Sequence, residues 1–329
     1  MVKTQSVVFV SPGEVAVEDV SLRPPDSGEV HLRAHTTLIS PGTERAFLLG
    51  LPNTSQEYPQ RPGYNFTGEV VALGEGVEEL TIGQRVVAAA RHACDVVIAA
   101  SQVVPVPDGV AHEQAVFFNM LGIALQGVRR SRLELGESVV IMGQGQVGLL
   151  AMMLSRIAGA VPVVALDPDA RRRGVSEKVG VDRVLDSSDK AAVRDLLADL
   201  GGGADVVIEA TGAPQPIPTA FHLARRGGRV VLLASTRGET ESVNFYREVH
   251  KKGLTLYGAH NSARPSADSQ PSVWTWRRDA VAVLELMAHS RLDMTPLISH
   301  RFTATDATSA YALLADWDPS IVGVILDWS

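Results

Sequence analysis

Three glycines, Gly143, Gly145 and Gly148, stand in the pattern G-x-G-x-x-G. Such a loop suits a dinucleotide: the first glycine permits a tight turn, the second lets backbone approach a pyrophosphate, and the third lets a helix pack on its strand. In a chain with 29 glycines the pattern alone is weak. Its setting strengthens it, because an apolar strand (138–142) leads in and an apolar helix (147–158) leads out. A helix start offers unpaired N–H groups and a positive dipole end to phosphates. Gly143, Gly145, Gln146, Val147 and Gly148 are therefore the expected phosphate contacts. Asp167 closes the next apolar run, near the spacing of about 20 residues at which an acidic side chain meets the adenosine ribose. That carboxylate favours NAD over NADP. Arg171, Arg172 and Arg173 follow closely and soften the preference, and Arg172 is counted with the cofactor set. Thr211, Ser235 and His260 follow later apolar runs, at strand ends where open α/β sheets bind ligands. His260 faces ribose or substrate, or caps a helix.

The elements that must position these residues change character near residue 120. Before it, short β-branched runs at 6–10, 29–34, 68–73, 84–90 and 96–99 alternate with Gly and Pro, which predicts a mostly antiparallel, partly barrel-like domain. After it, strands at 161–166, 183–185, 204–209, 229–234 and 254–258 alternate with helices at 190–200 and 218–225. Fully apolar strands in βαβ alternation predict a parallel sheet covered on both faces. A polar loop (261–272), helices at 276–289 and 306–315, and a last strand at 321–326 complete the chain.

At 329 residues the chain fits two domains. A net charge of -7 repels phosphate backbones and anionic lipid, so neither nucleic acid nor a membrane surface is an expected partner. The single cysteine, Cys94, excludes an intramolecular disulfide and a multi-cysteine metal cluster, and reads as an inert packing residue. The first residues form no long apolar segment, and the chain reads as cytoplasmic.

Several segments in order resemble the medium-chain dehydrogenase/reductase superfamily: Gly63-Tyr64-Asn65-Phe66-Thr67-Gly68, Val106-Pro107-Asp108-Gly109, the glycine loop, Glu209-Ala210-Thr211-Gly212 and Arg226-Gly227-Gly228-Arg229. The resemblance implies an α/β protein with a GroES-like, mostly-β catalytic domain over 1–119 and a doubly wound Rossmann domain over 120–260. The chain then returns to the catalytic domain over 261–329. It also implies a homodimer or homotetramer assembled through the cofactor domains. Within the family, Ile39-Ser40-Pro41-Gly42-Thr43-Glu44 and Val322-Gly323-Val324-Ile325-Leu326 look like the bacteriochlorophyllide a dehydrogenase branch. Val273-Trp274-Thr275-Trp276 is closer to sorbitol-dehydrogenase-like proteins.

Many relatives hold a catalytic zinc on a cysteine, a G-H-E histidine and a third Cys, Glu or Asp. Those positions fall here on Ser40 or Pro41, on Tyr64 and near Asn119, which leaves no zinc donor set. His112-Glu113 lacks a second histidine at zincin spacing, and His31 and His35 read as a solvated strand face. The resemblance therefore implies a zinc-free member. Hydride transfer still needs a group to stabilise the substrate oxygen and a group to move the proton. Thr43 occupies the proton-relay position, Tyr64 is expected to point its phenol into the pocket, and Asn119 offers an amide N–H. His92 is placed on a pocket wall. Glu44 orients Thr43 or holds an arginine. Trp274 and Trp276 wall a large substrate pocket or pack in the core.

The leading reading is a zinc-independent, NAD(H)-dependent oxidoreductase acting on a small-molecule secondary alcohol or ketone. The alternatives are a zinc-free quinone or enoyl reductase and a non-catalytic dinucleotide-binding protein.

Overall fold

The computed structural model describes residues 2–267 and 274–329. Val273 and the loop end 268–272 lie outside the described residues. Contacts divide the chain into two compact units, Met1–Asn119 with Ala280–Ser329, and Met120–Asp279.

The first unit opens with β1 (Val2–Ser11) and β2 (Glu14–Leu22), an antiparallel pair turned at Gly13, whose φ is +80°. The sequence pattern misses β2 because its residues are mostly exposed or half-buried and its acidic side chains interrupt the apolar run. There follow β3 (Glu29–Ile39), α1 (Pro41–Leu48), β4 (Phe66–Leu73), β5 (Arg85–Ala88), β6 (Asp95–Ala99), β7 (Val103–Pro105) and the short α2 (His112–Ala115). Pro41 starts α1, where its missing N–H costs nothing, although in sequence it reads as a breaker.

α3 (Phe118–Arg130) leads into the second unit, whose alternation is regular: β8 (Val139–Met142), α4 (Gln146–Ile157), β9 (Val163–Leu166), α5 (Ala170–Lys178), β10 (Arg183–Leu185), α6 (Lys190–Asp199), β11 (Ala204–Glu209), α7 (Ile217–Leu223), β12 (Ala224–Leu232) and β13 (Thr255–Gly258). These strands form a six-stranded parallel sheet in the order β10-β9-β8-β11-β12-β13. That is the doubly wound dinucleotide-binding order, with its switch point between β8 and β11. β8 and β9 are buried throughout, which explains their unbroken apolar sequence. α5 has no apolar stripe for periodicity to find. Its start is fixed by the Asp169 carboxylate, which accepts the N–H groups of Arg171 and Arg172.

After α8 (Trp276–Ala288), β14 (Ile298–Thr303), α9 (Ala307–Ala315) and β15 (Gly323–Asp327) belong to the first unit. β15 pairs antiparallel with β3, so the last residues complete a sheet ordered β14-β15-β3-β4-β5-β7, with β6 also on β3. The return comes at Ala280, later than the expected 261. Charge pairing accounts for the difference: Arg264 donates to the Gln126 side chain (3.1 Å) and pairs with buried Asp279 (3.6 Å), which also meets Arg129 (3.3 Å). No helix among the described residues is long and apolar enough to cross a membrane.

The expectation that His31 and His35 share a solvated face fails at a bulge. The β3–β4 register slips between Ala34 and Thr36, leaving His35 as the extra residue and breaking the two-residue alternation. His31 is buried with Nε2 2.8 Å from Asp95 Oδ1, while His35 is exposed and stacks on His112 with centroids 4.1 Å apart. Burial first, then the charges of His35 and Arg85, lower the His112 pKa from 6.5 to about 4. The unfolded chain therefore takes up a proton near pH 6.5 that the native state refuses. Stability from this group is complete above pH 6.5 and falls as pH drops toward about 4. Denaturant titrations at stepped pH should show that loss, and His112→Gln should flatten it.

Candidate functional site

In the second unit the glycine loop joins β8 to α4 at the carboxyl edge of the sheet. Gly143 has φ +85°, and a Cβ there would stand 2.9 Å from Thr211 Cα, on the loop after β11. A Cβ on Gly148 would lie 1.8 Å from the Gly143 carbonyl oxygen. Gly145 differs: its φ is -75°, and a Cβ would meet nothing within 4 Å. Gly143 and Gly148 are required by the protein's own packing, whereas Gly145 keeps an open approach to backbone. Gly145 caps α4 without a side chain, and first-turn amides have no acceptor inside a helix. Loop, helix start and open face fit a dinucleotide pyrophosphate.

Asp167 directly follows β9 and is only 2% exposed. Its Oδ2 accepts the Gln144 N–H (2.7 Å) and its Oδ1 the Asp169 N–H (2.8 Å), so it braces the glycine loop against the next turn. A carboxylate has about four acceptor positions, which leaves capacity for ribose hydroxyls beside this structural work. Arg173 donates to the Asp167 and Pro168 carbonyls, and Arg172 is half-buried in the first turn of α5.

Glu209, a residue without a role in the sequence reading, ends β11 fully buried. Its Oε1 accepts both the N–H (2.8 Å) and the hydroxyl of Thr211. Burial raises its pKa, and the bonds from Thr211 work against that rise. An acidic residue closing an apolar strand was the available signal. Thr211 Oγ1 in turn accepts the Ala213 N–H at 3.1 Å, so its hydroxyl holds the loop. Ser235 is exposed beyond β12. His260 takes the capping role: its Nδ1 accepts the Ser262 N–H (3.2 Å), and its carbonyl accepts Gln126 Nε2 (3.0 Å). Trp274 is covered by Arg129 and Arg278, whose guanidinium carbons stand 3.2 and 3.7 Å from its ring centroid. Of the two expectations for Trp274, that stacking favours packing over a substrate wall.

The first unit gathers a second group. Thr43 is half-buried in the first turn of α1, Tyr64 is half-buried just before β4, and Asn119 donates Nδ2–H to the Tyr64 carbonyl (2.9 Å). His92 is not a pocket wall. It is completely buried, with Nε2 3.0 Å from Glu44 Oε2. Glu44 holds neither Thr43 nor an arginine; it accepts from His92, from the Tyr311 hydroxyl and from the Ser40 N–H (2.8 Å). Tyr311 was invisible to sequence reasoning, since in α9 it reads as one more core aromatic. Burial raises the Cys94 pKa, as suits an unreactive thiol.

A parallel sheet in doubly wound order with this loop, in a chain whose other unit is mostly β and closed by the C-terminal strand, defines a two-unit α/β architecture of dinucleotide-binding type. The alcohol dehydrogenase GroES-like domain family matches residues 26–127, and the zinc-binding dehydrogenase family matches residues 147–276. The chain is 30% identical over 322 residues to 2-dehydro-3-deoxy-L-galactonate 5-dehydrogenase of Pseudoalteromonas atlantica, covering 88% of each chain. It is 29% identical over 281 residues to L-threonine 3-dehydrogenase of Pyrococcus furiosus, covering 75% of this chain and 76% of that one. Galactitol-1-phosphate dehydrogenase of Escherichia coli has the same fold, with a TM-score of 0.86 at 21% identity over 98% of this chain and 99% of its own. The chain belongs to the medium-chain dehydrogenase/reductase superfamily.

The glycine geometry separates two variants. Gly145→Val should fold with a near-native Tm yet weaken coenzyme binding by about a hundredfold, some 3 kcal/mol. Gly148→Val should fail at the level of stability. Thermal melts and coenzyme fluorescence titrations together read the distinction.

Proposed function

We propose that this chain is an NAD(H)-dependent oxidoreductase that moves hydride between a nicotinamide and a secondary alcohol or its ketone without zinc. The observation that carries the reading is the open face at Gly145, at the start of α4 and beside the β8–β11 switch point. Preference for NAD is supported by the Asp167 carboxylate, whose charge opposes a 2′-phosphate. The related proteins named above are dehydrogenases, and their names denote hydroxyl-bearing acids and a polyol phosphate. The short motifs resembling the bacteriochlorophyllide and sorbitol-type branches point the same way, toward a secondary alcohol.

The family's zinc does not fit the residues present at its positions. Ser40 or Pro41 stands in place of a thiolate, the Tyr64 phenol in place of an imidazole and the neutral Asn119 amide in place of the third ligand, while Glu44 is enclosed by His92 and Tyr311. Among the described residues no three His, Cys, Asp or Glu side chains are placed to hold a metal ion. When bound, the nicotinamide supplies the hydride exchange. The chain's own contribution then falls to the hydroxyls of Thr43 and Tyr64, which donate to the substrate oxygen and pass its proton.

A titration of the purified protein with NADH and NADPH, metal analysis, and a panel of secondary alcohols, quinones and enones test this together. The expected result is tighter NADH binding, no stoichiometric zinc, and alcohol oxidation that Thr43→Ala or Tyr64→Phe reduces by about a hundredfold. One zinc per chain, or turnover restricted to enones or quinones, would refute the proposal. Coenzyme binding without any turnover would identify a non-catalytic binder.

A further inference from the structure

Glu44 follows Thr43 on α1 and is 3% exposed, and its side chain is bonded to the N-cap of its own helix and to polar groups on two other segments. Oε1 accepts the N–H of Ser40, at the turn into the helix. Oε2 accepts from His92, on the chain between β5 and β6, and from the hydroxyl of Tyr311 on α9, 267 positions away in sequence. Tyr311 is itself fixed, with its ring edge-on to Phe9 at 5.0 Å.

His92 extends the arrangement to the segment that bears Tyr64. Its backbone N–H donates to the Pro62 carbonyl at 2.9 Å. Its ring lies against Gly63, where an added Cβ would stand 2.8 Å from ring carbons. Gly63 has φ +103°, so no other residue is easily placed under that ring. Among the described residues the ring's Nδ1 has no partner, and the bond to Glu44 is the ring's one hydrogen bond there. Tyr64 follows Gly63 directly in the chain.

One buried carboxylate thus joins the turn carrying Thr43, the segment carrying Tyr64 and a helix from the far end of the chain. Burying a carboxylate is expensive, and apolar residues of similar volume would fill the same space at lower cost. What apolar packing would not supply is directional restraint on both hydroxyl-bearing segments. Misplacement by about 1 Å costs a reaction on the order of a hundredfold. We propose that Glu44, His92 and Tyr311 are a positioning set, which holds the Thr43 and Tyr64 hydroxyls at the spacing the reaction uses. The inference rests on the function proposed above and assigns the restraint that a metal gives other family members to a hydrogen-bonded carboxylate.

The test uses the full chain and compares Tyr311→Phe, His92→Gln and the double variant with wild type. Tyr311→Phe removes only the hydroxyl and preserves the ring packing. Each single variant should lower kcat by about tenfold, with KM for the alcohol and Kd for NADH within about twofold of wild type. Both residues act through one carboxylate, so the double variant should lose little more than the worse single. Amide hydrogen exchange over 40–44 and 63–65 should quicken by about tenfold, with no change across the glycine loop.

Unchanged kcat with a lowered Tm would show core packing alone and overturn the proposal. So would losses that multiply in the double variant. Should His92→Gln fail to fold, Glu44→Gln takes its place in the cycle. If wild type turns over no alcohol, local exchange decides, and unchanged exchange in Tyr311→Phe overturns the positioning set. Failure to bind NADH would instead sink the functional reading by itself, because the coenzyme contacts lie in the second unit.

Discussion

The Gly143 carbonyl oxygen stands where a side chain on Gly148 would have to begin. β8 can therefore turn into α4 within a few residues, and the helix starts while the chain is still at the edge of the sheet. Other features follow from that approach. The β8–β11 switch point comes to lie beside the turn, Gly143 meets the Thr211 loop, and Gly145 is left with open space above it. A single methyl group at 148 would separate strand from helix and remove the geometry on which coenzyme recognition depends.

Buried carboxylates perform the same task at several points. Asp167 receives the amides of Gln144 and Asp169, Glu209 receives both polar groups of Thr211, and Glu44 receives Ser40, His92 and Tyr311. Each sits where a strand ends or a helix begins, where backbone N–H groups lack partners. A carboxylate accepts several donors at once and so can set a loop's shape from one position. Substitution of Asp167 would therefore disturb the glycine loop itself.

In the first unit, hydrogen bonds tie together the segments that carry Thr43 and Tyr64. Asn119 holds the Tyr64 carbonyl, and the Glu44 group holds the turn before Thr43. The result leaves two hydroxyls half-buried on restrained segments. A bond network of this kind is directional, and under the zinc-free function proposed above the polarisation of a substrate oxygen would fall to donated hydrogen bonds.

The amino-acid sequence by itself determined the dinucleotide loop, the parallel sheet and the partition near residue 120. These depend on local constraints: glycine spacing, unbroken apolar strands and punctuation by Gly and Pro. Where periodicity was hidden, as in arginine-rich α5 or half-exposed β2, local reading lost the element. Only the tertiary structure decided that His31 is buried against Asp95, that Arg264 and Asp279 stay with the second unit, and that His92 serves Glu44 rather than a pocket wall. Each of those outcomes pairs groups distant in sequence, and a buried charge's partner is set by where the chain returns rather than by its neighbours. Tyr311 reaches Glu44 because β15 pairs with β3 and brings α9 with it, a juxtaposition absent from any local pattern.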